Sequence, residues 1–271
     1  MGGANVKVAI LGASGRMGQA LLGALRQSAD LELSGALVRP DNAQIGQDAG
    51  SGLGWCSGVE YSAELPKVLS LADVAIDVTL PVVTADIIGA CRLSRCPLVV
   101  GTSGLSDEHH AALADAANSI AVLPAANFSI AMTLMMGMVR EATAKLGPDW
   151  QVDILETHHQ HKIDRPSGTA LALSDVIARE RGKTSAEMVE CVESPGERKD
   201  VGSIVIQSVR SGEVAGEHAV TFRGGSETLE VVHRAGSRAA FARGALAAAA
   251  WLAAQNPGLY RMEQVLADRR R

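Results

Sequence analysis

The sequence predicts an α/β protein whose first half forms a parallel sheet and whose second half forms an α+β region with an antiparallel or mixed sheet. Two observations support this fold class. In the first half, short apolar runs alternate with segments of helical length, as in βαβ units, whose strands run in parallel. In the second half, β-rich runs follow one another too closely for a helix to intervene, which favours antiparallel pairing.

The first predicted strand covers residues 7–11 (KVAIL), and a glycine loop and a helical pattern follow it directly. Further apolar strands are predicted, separated by helices of roughly ten to fifteen residues. They cover residues 31–38, 73–79, 97–101 and 120–123. A domain change is predicted near residues 127–129. Beyond it, strands are predicted at 203–210, 218–223 and 227–233, and an alanine-rich helix at about 237–254.

Composition excludes several classes of protein. The chain has 271 residues, which is enough to bury a real core, and its net charge of -5 gives no indication of nucleic-acid binding. Its four cysteines show no CxxC spacing, and no apolar run resembles a signal peptide or a membrane span. We therefore expect a cytoplasmic protein that binds neither nucleic acid nor membrane.

The loop after the first strand reads GASGRMG, with glycines at positions 12, 15 and 18. Gly12 suits a tight turn off the strand, Gly15 lets the backbone approach a pyrophosphate, and Gly18 permits close packing of the helix on the strand. The loop therefore predicts a dinucleotide cofactor, although similar turns also occur in proteins that bind no nucleotide.

The end of the second strand, at Leu37-Val38-Arg39, indicates which dinucleotide is preferred. An acidic residue here would bind the ribose 2′-hydroxyl, whereas Arg39 suits a 2′-phosphate. NADPH is favoured, and NADH remains possible. The alternative is that Arg39 is an ordinary surface arginine.

The segment at residues 156–170, ETHHQHKIDRPSGTA, combines anion binding with proton donation. Ser167 is a plausible N-cap, and the amides of Gly168 and Thr169 would lie at the positive end of a helix. Three histidines and Lys162 stand just upstream and can donate protons near neutral pH. This pattern suggests an enzyme, although Lys162 as a solvated charge remains an alternative.

The histidines, at positions 158, 159 and 161, do not predict a metal site. No cysteine accompanies them, HExxH is absent, and an extended HHxH run would turn neighbouring side chains to opposite faces. We therefore predict no metal.

Taken together, VAILGASGRMG at 8–18, GTSG at 101–104, AANFS at 125–129 and ETHHQHKIDRPSGTA resemble the 4-hydroxy-tetrahydrodipicolinate reductase (dihydrodipicolinate reductase) family of lysine and diaminopimelate biosynthesis. The resemblance extends over essentially the whole chain, and HHQHK joined to PSGTA is its most specific part. It implies reduction of a small dicarboxylate imine with NAD(P)H, by hydride transfer to C4 and protonation by a histidine.

The resemblance also implies roles for individual residues. His158 would be the proton donor and Lys162 a second acid and carboxylate partner. His159, Ser167, Gly168 and Thr169 would bind the substrate. The implied cofactor residues are Gly12, Ala13, Ser14, Gly15, Arg16 and Met17 at the pyrophosphate, Arg39 at the adenosine ribose phosphate, and Gly101, Thr102, Ser103, Ala125, Ala126, Asn127 and Phe128 at the nicotinamide.

The implied architecture is a Rossmann-like domain at residues 1–128, rejoined by C-terminal helices at 240–271, and a substrate-binding and oligomerisation domain at 129–239 that builds a homotetramer. The chain departs from the family's usual pattern at Val38, where Glu is common, at Leu80, where Arg is common, and at Ser103, which replaces Thr. The first departure removes a ribose contact that serves NADH, and the last preserves a hydroxyl.

Two other classes of protein share part of this pattern. An amino-acid dehydrogenase would carry the glycine loop but has no reason to carry HHQHK before PSGTA. A non-catalytic NADPH sensor would keep the loop and Arg39 but could dispense with His158 and Lys162.

Overall fold

In the computed structural model, which describes residues 5–192 and 202–268, the chain forms two compact units. One comprises Met1–Ile130 and Arg238–Arg271, and the other Ala131–Ser237. The functional labels that the sequence attaches to the two segments remain predictions. Among the residues described, no helix is both long enough and apolar enough to cross a membrane.

The first unit is built on a seven-stranded sheet. Its strands, numbered along the chain, are β1 (Val6–Leu11), β2 (Leu31–Leu37), β3 (Tyr61–Ser62), β4 (Val74–Asp77), β5 (Leu98–Val100), β6 (Ala121–Pro124) and β12 (Gly258–Leu259). The order is β12-β6-β5-β4-β1-β2-β3, and neighbouring strands are parallel. The strand order reverses at β1, as in dinucleotide-binding Rossmann folds. The predicted parallel sheet is confirmed, and the carboxyl ends of its strands meet at one edge.

Both faces of this sheet are buried. Val8 and Ile10 of β1 belong to one apolar cluster, and Ala9 and Leu11 to a second cluster on the opposite face. This two-sided burial explains why the strands read as continuous apolar runs. The helices of the unit are α1 (Arg16–Leu25), α2 (Leu65–Leu69), α3 (Thr84–Ser94), α4 (Asp107–Ala116), α8 (Ala239–Leu252) and α9 (Met262–Asp268).

The alanine-rich helix predicted at 237–254 is confirmed as α8, which packs in the first unit. Its small residues Ala242, Ala245 and Ala249 are fully buried in the cluster that contains Val8. A Cβ at Gly244 would lie 1.7 Å from the carbonyl oxygen of Phe128, so the helix touches the backbone after β6 directly. The close approach requires glycine at this position.

The second unit contains a mixed five-stranded sheet, which confirms the predicted mixed architecture. Its strands are β7 (Gln151–His158), β8 (Val189–Val192), β9 (Ile204–Arg210), β10 (Gly216–Gly224) and β11 (Glu227–Ala235), and its helices are α5 (Ile130–Leu146), α6 (Gly168–Glu180) and α7 (Ser185–Met188). The order is β11-β10-β7-β9-β8; β10 runs antiparallel to β11 and β7, and the remaining pairs are parallel.

The helix-covered face of this sheet is divided into an apolar part and a polar part. Ile154 of β7 aligns with Ile206 and Val220 on the neighbouring strands, and all three belong to the apolar core. One step further along β7 the same face carries a row of polar residues from four strands. This row comprises Ser208, Glu156, His218 and His233. The candidate site begins at this polar row.

Candidate active site

The glycine loop lies between β1 and α1, at the carboxyl edge of the parallel sheet. Gly12 has a φ of 88°, and a Cβ there would lie 2.8 Å from the carbonyl oxygen of Val78. A Cβ at Gly18 would lie 2.3 Å from the oxygen of Gly12, so Gly18 allows α1 to pack on the loop. This close contact is with the loop that directly follows β1. Gly15 is the N-cap of α1, and the first amides of the helix follow it at Arg16 and Met17.

Two further contacts hold the loop. The Ser14 hydroxyl accepts a hydrogen bond from Asn42 Nδ2 at 3.0 Å, and the Ala13 carbonyl accepts one from Gln19 Nε2 at 3.0 Å. These contacts hold the loop in place at the N-terminus of α1. A pyrophosphate site at this loop remains a prediction.

Arg39 and Val38 differ sharply in exposure. The Arg39 side chain is 77% exposed and lies 3.8 Å from an equally exposed Asp41 carboxylate, an ion pair that solvent screens. Val38 is buried in the apolar cluster. Of these two residues, only Arg39 carries a polar side chain.

The segments predicted to line the nicotinamide follow β5 and β6. A Cβ at Gly101 would lie 2.4 Å from Cε2 of Phe128, so the two segments meet there. Thr102 is buried, whereas Ser103 and Ala126 are exposed. The Ala125 amide donates to Val100, and Asn127 Oδ1 accepts from the Ser129 amide at 2.8 Å.

Asp77, at the end of β4, anchors this edge of the sheet and was not predicted. Its carboxylate accepts hydrogen bonds from the Thr79 amide at 2.9 Å and the Thr79 hydroxyl at 2.6 Å, and its carbonyl accepts from the Gly101 amide at 2.8 Å. Burial raises the pKa of Asp77 above its ordinary value, against the lowering effect of the two hydrogen bonds from Thr79. The residue fixes the loops after β4 and β5.

In the second unit, His158 is the last residue of β7 and is buried against Glu156. Its Nδ1 shares a short hydrogen bond with Glu156 Oε2. Because a carboxylate only accepts, Nδ1 carries the proton of this bond and Nε2 is left to face a ligand. A Cβ at Gly216 would lie 3.1 Å from that Nε2, so glycine at this position keeps the nitrogen uncovered.

His218 closes the layer behind His158. The two rings meet edge to face with centroids 5.1 Å apart, and His218 Nε2 lies 3.3 Å from the Ser167 hydroxyl. Burial, together with the charge of His158, lowers the pKa of His218 to about 3, and burial lowers that of His233. Both rings are therefore neutral near pH 7.

Lys162 lies in the loop that follows β7. Its ammonium contacts Asp164 Oδ1 at 2.8 Å, with the lysine side chain 24% exposed and the aspartate 55%. Although burial raises the pKa of Asp164, the hydrogen bond and charge of Lys162 lower it more. The ion pair with Asp164 therefore holds the Lys162 ammonium in place.

Ser167 is the N-cap of α6, as predicted. Its hydroxyl accepts from the Ala170 amide at 3.2 Å, and its own amide donates to Glu156 Oε1 at 3.2 Å. The first helical positions are Gly168 and Thr169, whose amides precede the first intrahelical bond, from Leu171 to Ser167. The donors at this end of α6 suit an anion.

The remaining histidines separate in space. The strand ends at His158 and a turn follows, so the HHxH run is not extended as the sequence suggested. His159 is half-buried, whereas His161 is 71% exposed beside Glu213. Within the described residues, Glu156, His158 and His218 bring potential metal ligands within 4.8 Å of one another. Since both Glu156 oxygens already accept hydrogen bonds, the absence of a metal remains our prediction.

Comparison with known proteins identifies the family. Models for the N-terminal and C-terminal parts of dihydrodipicolinate reductase match residues 6–128 and 131–266. The chain belongs to the dihydrodipicolinate reductase family. A 4-hydroxy-tetrahydrodipicolinate reductase of Thiobacillus denitrificans is 40% identical over 263 residues, which cover 97% of this chain and 98% of the relative.

Solved structures agree. A dipicolinate-bound dihydrodipicolinate reductase from a Paenisporosarcina species has a TM-score of 0.75 at 25% identity and covers 95% of this chain and 97% of its own. A myo-inositol dehydrogenase of Corynebacterium glutamicum, with a TM-score of 0.61 at 14% identity over 97% of this chain and 93% of its own, shares the fold alone. The family resemblance noted in the sequence is confirmed.

Several residues of this dihydrodipicolinate reductase family member escaped the sequence analysis. They are Asp77, Glu156, Asp164, Arg210, Gly216 and His218. Glu156 and Asp164 lie inside the motif itself, each two positions from a candidate proton donor. A carboxylate at that spacing could have been predicted to pair with the donor. Arg210, Gly216 and His218 reach the site only through strand pairing.

Proposed function

We propose that the protein reduces 4-hydroxy-tetrahydrodipicolinate to tetrahydrodipicolinate with NAD(P)H, a step of lysine and diaminopimelate biosynthesis. The observation that carries this proposal is the arrangement of His158, Lys162 and the N-terminus of α6 around one polar layer of the second unit. The family membership supports the same reaction.

The proposed substrate is a small dicarboxylate imine, and the site offers it two kinds of partner. Lys162 and His159 supply cationic or donor side chains, and the α6 terminus supplies the amides of Gly168 and Thr169. Each can bind a carboxylate, which fixes the ring in a defined orientation.

The proposed proton donor is Nε2 of His158. After water is lost from the hydroxy imine, C4 must accept a hydride and C3 a proton. The nicotinamide cofactor, held by the loop at Gly12–Met17 and the segments at 101–103 and 125–128, supplies the hydride when bound. His158 donates as the imidazolium: the Nε2 proton moves to C3, the Nδ1 proton stays in the hydrogen bond to Glu156, and the neutral ring that remains is the Nδ1–H tautomer.

The test is a spectrophotometric assay. Substrate made freshly from aspartate semialdehyde and pyruvate by a condensing synthase should cause NADPH oxidation at 340 nm, whereas amino acids with NADP⁺ should give no reduction. Turnover of amino acids without turnover of the imine would contradict the proposal.

We further propose that NADPH is the preferred cofactor, because Arg39 is exposed and Val38 offers the ribose no acceptor. Arg39→Ala should lower kcat/KM for NADPH by about 10- to 100-fold, the value of a lost charge-assisted hydrogen bond, and leave kcat/KM for NADH nearly unchanged. Steady-state kinetics with both cofactors measure the ratio.

Arg92→Ala is the matched control, since Arg92 is also exposed but pairs with Asp115 at 2.6 Å. It should change neither value. Equal losses with NADPH and NADH in Arg39→Ala would refute a 2′-phosphate contact.

Finally, we propose that the protein is a homotetramer assembled through the second unit. On the face of the sheet opposite the helices, Leu155, Ala219 and Val232 align across three strands, with Leu155 42% and Val232 39% exposed. An apolar row at the centre of an exposed sheet face is typical of a protein interface.

Leu155→Arg should therefore lower the molecular mass measured by sedimentation velocity, because it places a charge in the centre of the interface. Leu93→Arg, which changes an 89% exposed leucine of the first unit, should leave the mass unchanged. A Leu155→Arg protein with the wild-type mass would exclude this face.

A further inference from the structure

A buried ion pair joins Glu156, in the polar row of the second sheet, to Arg210 at the end of β9. Arg210 Nη2 donates to Glu156 Oε1 at 2.9 Å, and the side chains are 3% and 0% exposed. Burial raises the pKa of Glu156, but the hydrogen bonds from His158, Arg210 and Ser208 have a larger, opposite effect, and the pKa falls to about 2. Glu156 is therefore ionised and its partner is always charged.

Glu156 binds two segments of the proposed site at once. Its Oε2 accepts from His158 Nδ1, the proton donor's inner nitrogen. Its Oε1 accepts from the amide of Ser167, the N-cap of α6. One carboxylate thus sets both the tautomer of His158 and the distance from that ring to the proposed carboxylate-binding helix end.

Arg210 binds the third segment. Its Nε donates to the carbonyl of Lys162 at 3.3 Å, and its Nη2 also donates to the carbonyl of Asp164. Its Nη1 donates to Val209 at 2.7 Å, which aims the guanidinium back along β9. The backbone on both sides of the Lys162–Asp164 pair is therefore fixed to the same ion pair.

We propose that the Glu156–Arg210 pair is the positioning centre of the active site: Glu156 holds His158 in the Nδ1–H tautomer, and Arg210 holds the Lys162 loop for a substrate carboxylate. This inference rests on the proposed function for its kinetic consequences. Neither residue is a catalytic residue, since each acts through another.

A purely structural role explains the geometry less well. Replacing a buried ion pair by apolar groups of similar size is often neutral or stabilising, so burial of charge alone does not account for the pair. In the described part of the chain, the pair forms hydrogen bonds with the end of β7, the Lys162 loop and the α6 cap.

Glu156→Gln tests the first part of the proposal, that Glu156 sets the tautomer of His158. Because Ser167 N and Arg210 Nη2 both donate to Oε1, the Gln carbonyl must stay there and its NH₂ must face His158. His158 Nδ1 then becomes an acceptor, and the neutral ring changes to the Nε2–H tautomer. An imidazolium would point its Nδ1–H at the NH₂ of the glutamine, so the charged proton donor loses its hydrogen-bond partner. We expect kcat to fall by about 10-fold or more, within the contribution of a positioned acid, with KM nearly unchanged.

The tautomer is read directly from two-bond ¹H–¹⁵N spectra of protein labelled at its seven histidines. The His158 signals are assigned by their loss in His158→Gln. This readout needs no substrate, so it stands even if the proposed reaction is wrong.

Arg210→Lys tests the second part of the proposal, that Arg210 holds the Lys162 loop. Lysine keeps the charge but lacks the planar guanidinium that donates to several carbonyls at once. Released from Arg210, the loop should bind dipicolinate about 10-fold more weakly by calorimetry and raise KM for the substrate. His158 should keep its Nδ1–H tautomer. The two variants therefore test the role of Glu156 and the role of Arg210 separately.

Glu217→Gln and Arg234→Lys are matched controls, because this pair joins neighbouring strands of the same sheet at 3.5 Å with the side chains 42% and 69% exposed. Both should behave as wild type, and circular dichroism checks the fold of all four variants. An unchanged His158 tautomer in folded Glu156→Gln, or unchanged dipicolinate affinity in folded Arg210→Lys, overturns the proposal.

Discussion

His158→Gln should lower kcat by about 10²- to 10⁴-fold and change KM little, because a positioned general acid typically contributes that much and binds the ground state only weakly. Glutamine is the suitable replacement in this environment. Its NH₂ can still donate to Glu156, so the buried carboxylate is not left without the donor that His158 supplied. The loss then reports on proton donation.

Steady-state kinetics with NADPH and freshly made substrate measure the effect. His161→Gln is the control, since His161 lies in the same motif but is 71% exposed and contacts Glu213. A near-wild-type kcat in His158→Gln would eliminate His158 as the donor.

Lys162→Ala has the second large expected effect, a fall in kcat/KM of about 10²-fold. A charge-assisted hydrogen bond contributes about 1.5–3 kcal/mol, and the lysine meets a carboxylate in both the ground state and the transition state. We therefore expect KM to rise as well as kcat to fall, in contrast to His158→Gln. Dipicolinate binding, measured by calorimetry, should weaken in parallel.

Two variants separate charge from geometry at this position. Lys162→Arg keeps the charge and should lose less than Lys162→Ala. Asp164→Asn removes the group that pairs with Lys162 at 2.8 Å and leaves the ammonium in place. If Lys162→Ala leaves kcat/KM intact, the lysine is a solvated charge and has no part in the reaction.

The first unit was largely predictable because its strands are buried on both faces. Residues 8–11 of β1 are all fully buried, and such runs read as strands without any alternation. The central strand of the second unit, β7, was not predicted, because its buried face is apolar only in part. Val152 and Ile154 alternate as a half-buried strand should, but Glu156 and His158 continue the buried face with polar side chains.

The candidate site was predictable where its residues are close in sequence. The N-cap at Ser167 follows from a local motif, and the structure places it as predicted. Arg210 lies 54 residues from Glu156, and its role depends on the register of β9 against β7. Nothing in the local sequence around Arg210 indicates that register.

Gly216 has a consequence for protein engineering. The backbone of β10 stands beside Nε2 of His158, and any side chain at position 216 would begin 3.1 Å from that nitrogen. In a library designed to admit bulkier substrates near His158, substitutions at position 216 will therefore be poorly tolerated. New space must be made elsewhere, in the loop after β7 or at the first turn of α6, where a Cβ at Gly168 meets no atom within 4 Å.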